Sequence, residues 1–187
     1  MRKLIILITA LAWATGMEAQ KTAEAKARVD EIRQLYKEAW EAVAYYDTLA
    51  MDGLPKSRMV VESDYMASGS GPRHEIITYF FSVDFDEERY AEYAEPYLVT
   101  RKYNIDDSQF YEEYLYDRKG KPCFVYWRNS DGDEARYYWS EKGELVNSIT
   151  GDKEVPSTDY YLYRAGKLKM AFDAMMNVDM EYFFQKD

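Results

Sequence analysis

The chain opens with a ten-residue, mostly apolar run from Leu4 to Trp13 behind Arg2 and Lys3, and small residues follow it. Over 22–52 the apolar positions change to a helical period. Val29, Ile32, Tyr36, Ala39, Val43, Tyr46 and Ala50 recur at steps of three and four, and Leu35, Ala42 and Leu49 widen the stripe. Asp30, Glu31, Lys37, Glu38 and Glu41 take the other side. A stripe this broad, with tyrosines on it, predicts a helix laid on a sheet rather than a coiled-coil seam. Gly53 offers a left-handed cap and Pro55 prevents continuation.

Beyond Pro55 the period becomes two. Stretches 58–66 and 73–83 are rich in Val, Ile, Tyr and Phe and are separated by Ser68-Gly69-Ser70-Gly71-Pro72, which predicts two strands and a loop. The acidic stretch 84–95 reads as a short helix or a solvated crossing, and 97–105 resumes as a strand. In the last third, Gly120, Gly143 and Gly166 follow one another at intervals of 23 residues. Each lies in similar text: Tyr114-Leu115-Tyr116 before Gly120, Tyr137-Tyr138-Trp139 before Gly143, and Tyr160-Tyr161-Leu162-Tyr163 before Gly166. Three hairpins closed by a left-handed glycine are predicted, with a further turn at Asp131-Gly132.

If strict alternation runs on from each turn, Asp117 faces Lys121, Tyr116 faces Pro122 and Tyr114 faces Phe124. One face then gathers Tyr114, Tyr116, Phe124, Tyr126, Tyr137, Trp139, Leu168 and Phe172 as the core for the helix. The other face carries Glu113, Cys123, Trp127, Arg136, Tyr138 and Tyr161 and is open to partners. The expected fold is α+β: a long N-terminal helix (22–52) on a twisted antiparallel meander (57–175) of roughly eight or nine strands. It forms a single domain over 20–187.

The repeated aromatic-Tyr-x-x-x-Gly-Lys-Leu text resembles MORN-type and Tyr-Asp-repeat hairpin arrays of bacterial surface proteins over about residues 110–173. The whole chain also resembles small secreted proteins of unknown function from gut bacteria. That likeness rests on its start, its helix, and the run Tyr97-Leu98-Val99-Thr100-Arg101-Lys102-Tyr103-Asn104 leading to Phe110-Tyr111-Glu112-Glu113-Tyr114. The resemblance implies a compartment and a single domain, and no activity or site.

Ten apolar residues are too few for a bilayer span, which takes about 20. The basic start, the short apolar run and the small residues after it predict a secretory leader over 1–19, cleaved after Ala19 or after Gly16. The only cysteine is Cys123, so no lipid anchor is expected after processing. The whole chain has 24 basic and 34 acidic side chains; loss of Arg2, Lys3 and Glu18 with the leader leaves 22 and 33, a net charge of −11. Such a chain repels phosphate backbones, so nucleic acid is excluded as a partner. One His and one Cys exclude a Cys/His zinc cage and an internal disulfide. No metal or cofactor is expected.

Asn129–Glu134 concentrates oxygen ligands, but its glycine stands before the last Asp and its flanks read as strands, so it is a hairpin turn rather than a calcium loop. The acidic run at 84–95 is a solvated face, His74 a surface side chain without a nominated nucleophile, and Cys123 a small packing group. Trp127, Tyr138 and Tyr161, with Arg136 as polar anchor, make the candidate platform for a protein or a glycan. The expected role is non-catalytic binding or scaffolding in the cell envelope, outside the cytoplasm. The alternatives are a carrier with an apolar pocket between helix and sheet, and a hydrolase working through two carboxylates.

Overall fold

The computed structural model describes the backbone of residues 2–51, 57–69, 71–86, 91–151 and 157–184, and side chains between Thr22 and Met176. Helix α1 (Arg2–Met51) presents the predicted stripe to the sheet. Val29, Ile32, Ala39 and Val43 are buried, and Leu35, Tyr36 and Trp40 pack beside them. The side chains of Tyr46, Leu49 and Ala50, those of the expected leader, and the whole of Gly53 and Pro55 lie outside the described residues. No helix among the described residues is long and apolar enough to cross a membrane.

Seven strands follow: β1 (Arg58–Ala67), β2 (Gly71–Asp86), β3 (Ala91–Ile105), β4 (Ser108–Tyr116), β5 (Pro122–Asn129), β6 (Glu134–Trp139) and β7 (Leu145–Thr150). They pair antiparallel in sequence order as one open meander. Among the described residues the count is seven, not eight or nine. The acidic stretch is neither helix nor crossing where it is described: β2 runs out to Asp86 and β3 begins at Ala91.

The third repeat is not a hairpin. Gly166 lies inside helix α2 (Thr158–Phe184), so the sheet ends at Thr150 rather than at 175. The reason is the spacing of the apolar residues. Tyr161, Ala165, Leu168 and Phe172, at steps of four, three and four, are all buried, and that spacing closes a helical stripe whatever the local motif resembles. Ser157 caps the helix, its Oγ accepting from the Tyr160 N–H at 3.4 Å.

The other two repeats do turn as predicted. Gly120 (φ 68°) and Gly143 (φ 80°) adopt the left-handed conformation, and the Asp117 and Ser140 amides donate across the turns to Lys121 and Glu144 carbonyls, both at 2.8 Å. Tyr116 does face Pro122, but a bulge follows, and Leu115 rather than Tyr114 faces Phe124. The same shift recurs in the second hairpin, where Trp139 faces Leu145 and Tyr138 faces Asn147. A bulge adds one residue to one strand and so reverses which side chains share a face. The extra residues, Cys123 and Val146, both join the α1 side.

The sheet therefore has two packed faces rather than one core face and one open face. Leu98, Leu115, Cys123, Phe124 and Tyr138 lie under α1. Tyr79, Val99, Tyr114, Tyr116, Val125, Trp127, Tyr137 and Trp139 lie under α2. Arg28 ties α1 to both bulged hairpins. It donates to the Trp139 carbonyl and to Asp117 Oδ2, each at 3.3 Å.

Candidate functional site: the uncovered half of the α1 face

Helix α1 crosses the sheet over only one end of the strands, where Phe80, Leu98, Leu115, Phe124 and Tyr138 meet its stripe. Two pairs further along, the same face carries a row formed by the strand register: Ile76 beside Lys102, Lys102 beside Tyr111, and Tyr111 beside Arg128. Among the described residues no helix side chain lines this row. It floors an open groove of about 770 Å³ that runs to His74, Gln109 and Ser130.

The boundary between the covered and the open half is a carboxylate. Glu113 is buried, with 5% of its surface exposed, and holds a tyrosine with each oxygen. Tyr36 of α1 donates to Oε2 at 2.6 Å, and Tyr111 of the open row donates to Oε1 at 2.8 Å. Burial, then the charge of Glu113, pushes both hydroxyls well above their ordinary pKa, so both stay donors through the physiological range. Helix position and groove floor are thereby joined through one side chain.

Tyr111 in turn carries two cations. The Arg128 guanidinium carbon lies 5.0 Å from its ring centroid and the Lys102 ammonium 6.0 Å. Both side chains are exposed, and neither forms an ion pair with a carboxylate among the described residues. Asn104 and Asn129, by contrast, are spent on the scaffold. Asn104 accepts from the His74 amide at 2.6 Å and donates to the Pro72 and Asp106 carbonyls. Asn129 Oδ1 accepts from the Asp131 and Asp133 amides, closing the turn that sequence reading assigned there. His74 sits at the rim against Asp64 at 2.9 Å and Glu62 at 3.8 Å. No group of three or more His, Cys, Asp or Glu is placed to hold a metal among the described residues.

The residues singled out as a platform do not form one. Trp127 is 4% exposed and Tyr161 is fully buried, both in the cluster under α2. Tyr138 is 4% exposed and belongs to the cluster under α1. Arg136 stays half-exposed on the α1 side, over the Tyr126 ring at 5.3 Å and paired with Glu134 at 2.9 Å. The correction follows from the bulges and from α2, which together sort these four side chains to opposite faces. Arg136 and Tyr138 line one recess of about 360 Å³ beside Ile32 and Tyr36. Rings fill the interior there: Tyr36 packs edge-on to Phe124 at 5.2 Å, and Phe124 lies 4.9 Å from Tyr138.

Carboxylates do converge on the α2 face, in a closed arrangement. Glu112, fully buried, accepts from Tyr103, Tyr114 and Arg101, and Arg101 also pairs with Glu75. Burial alone would lower the pKa of Arg101, but the two carboxylates outweigh it and hold it above its ordinary value. The guanidinium carbon lies over the Tyr103 ring, 3.8 Å from the centroid. Buried charges persist when each is paired and hydrogen-bonded, which is the case here. Cys123 is buried under α1, and burial pushes its thiol up to about 12, consistent with the packing role expected of it.

The groove residues Lys102, Tyr111 and Arg128 were not singled out from sequence. The signal was present as neighbouring positions on β3, β4 and β5, but joining them needs the register across both hairpins. Compared with protein-family models, with curated proteins and with solved structures, the chain matches none.

Proposed function

We propose that this is an exported, non-catalytic binding or scaffolding protein of the cell envelope, and that it binds through the open half of the α1 face. The observation that carries this reading is the uncovered row Ile76–Lys102–Tyr111–Arg128. Under the two helices, among the described residues, the sheet is closed by aromatic and aliphatic side chains and by the internally paired Arg101–Glu112 cluster. Open concave surfaces with a few fixed polar groups are where ligands bind. Export is supported by the leader-like residues 1–19 and by a net charge suited to solubility.

A carrier role has one observation in its favour, the recess beside Arg136 and Tyr138, but the rings of Tyr36 and Phe124 leave little depth there. A two-carboxylate hydrolase is disfavoured. Glu112 and Glu75 spend oxygens on the same guanidinium, and Glu112 has no exposed surface for a substrate to reach.

Two measurements test the proposal. The mature N-terminus of exported material should read Gln20, or Met17 for cleavage after Gly16; an intact Met1 in membrane fractions argues against a soluble exported form. An array of glycans, peptides and lipids should contain ligands retained by the native protein and lost by Gln109→Trp, which fills the groove from an exposed position. Ligands that bind both forms equally would place the binding surface elsewhere.

A further inference from the structure

Resting on that reading of the groove, we propose that its ligand is a carboxylated glycan, with Lys102 and Arg128 holding the carboxylates and the rim accepting from sugar hydroxyls. The chain has ten more acidic than basic side chains, and several surface cations rest on carboxylates: Arg136 on Glu134, Lys119 on Glu141, Lys169 on Asp173. Lys102 and Arg128 have no such pair among the described residues and instead flank one tyrosine from the strands on either side of β4, both lying over the ring whose hydroxyl Glu113 holds. An ammonium and a guanidinium have donors and no acceptors, so the centre of the groove calls for an anionic, acceptor-rich group.

The rim has the opposite character. Asp106, Asp107, Gln109 and Ser130 line the same groove and place acceptors around the cationic centre. A dense polyanion such as a nucleic acid or polyphosphate would meet those aspartates and the net negative charge of the whole chain, at a cost in electrostatic energy. A ligand with well-spaced carboxylates among many hydroxyls meets both parts: carboxylates at the centre, hydroxyl donors at the rim. The groove lies open along the sheet rather than closing over a small molecule, which suits a segment of an extended chain. Sugars carrying carboxylates have this combination of groups.

The test is calorimetric titration of the purified protein with oligogalacturonate, with its methyl ester as the uncharged counterpart and with poly-glutamate as the peptide counterpart. Oligogalacturonate should bind, more weakly as salt rises. Methyl esterification should weaken binding by about tenfold or more, the size expected for loss of a charge-assisted hydrogen bond. The double variant Lys102→Gln/Arg128→Gln should show the same loss for the acid and none for the ester, with unchanged thermal unfolding. Equal binding of acid and ester, binding unaffected by the double variant, tighter binding of poly-glutamate, or no binding of the acid would each overturn the proposal. If the acid fails but another ligand is still lost on Gln109→Trp, the ligand class is wrong and the groove stands. If no ligand depends on Gln109→Trp, the groove itself is wrong.

Discussion

The two faces of the sheet treat charge in opposite ways on neighbouring residues of the same strands. On the α2 face, Arg101 sits beside Glu112, and Glu112 beside Trp127. One position along, on the α1 face, Lys102 sits beside Tyr111, and Tyr111 beside Arg128. The first row is sealed, and every charge in it has a partner. The second is open, and its two cations rest on a ring. A buried charge must be neutralised locally, whereas an exposed one is held by water and remains available to a ligand. What separates the two rows is coverage by a helix, and coverage decides which row is structure and which is surface.

Cutting into the sealed row should have the largest effect. Glu112→Ala leaves Arg101 buried with only Glu75 and strands two tyrosine hydroxyls, and it should cost about 3–5 kcal/mol in urea unfolding. Lys102→Ala and Arg128→Ala on the open row should each stay within about 0.5 kcal/mol of the parent. Similar losses from both rows would erase the distinction between the faces.

Trp127→Ala should cost about 3–5 kcal/mol, as removal of a buried aromatic ring does, and so should Trp139→Ala. That equality reverses the sequence-based expectation that Trp127 stands on an accessible face. A mild effect of Trp127→Ala alone, seen by thermal unfolding, would reopen the α2 face.

Alkaline pH offers a reading of burial on the α2 side. Burial pushes Tyr79 up to about 12 and holds Tyr114 and Tyr116 well above the ordinary value of 10.0. The folded state then keeps its protons while the unfolded chain loses them, so stability is full below about pH 10 and falls as pH rises through the folded values. The buried set should therefore add its tyrosinate absorbance only together with loss of secondary structure. A single stage near pH 10 with the fold intact would mean that the buried hydroxyls reach water.

The smallest effects concern the repeat. Gly143→Val should destabilise by about 1 kcal/mol or more, because a β-branched residue is strained at φ 80°. Gly166→Ala should do the reverse. It is a glycine inside a helix, a Cβ there meets nothing within 4 Å, and the gain should be about 0.5–1 kcal/mol. Two glycines from one repeated motif would then differ in sign, as a turn and a helix require.

Much of the architecture could be read locally. The stripe Val29–Ile32–Tyr36–Ala39–Val43, the turns at Gly120, Gly132 and Gly143, and the antiparallel order of the strands all follow from period, turn chemistry and short connections. Helix α2 was legible too, in Tyr161, Ala165, Leu168 and Phe172, but resemblance to the two preceding hairpins outweighed the period. The candidate site was legible only as residue types: two cations and a tyrosine on three strands, with nothing local to join them.

Sequence alone thus determined the helix stripe, the strands and the turn glycines, because each depends on interactions within a few residues. Tertiary structure decided the sides. The extra residues at Cys123 and Val146 reverse the alternation beyond each turn, and no local rule demanded them: the similar turn at Gly132 is followed by regular pairing of Arg128 with Glu134. Where α1 rests, pinned by Arg28 at one end of the strands and by Tyr36 on Glu113, then left Lys102, Tyr111 and Arg128 uncovered. Face and coverage are relations between segments far apart in the chain, and only packing those segments together sets them.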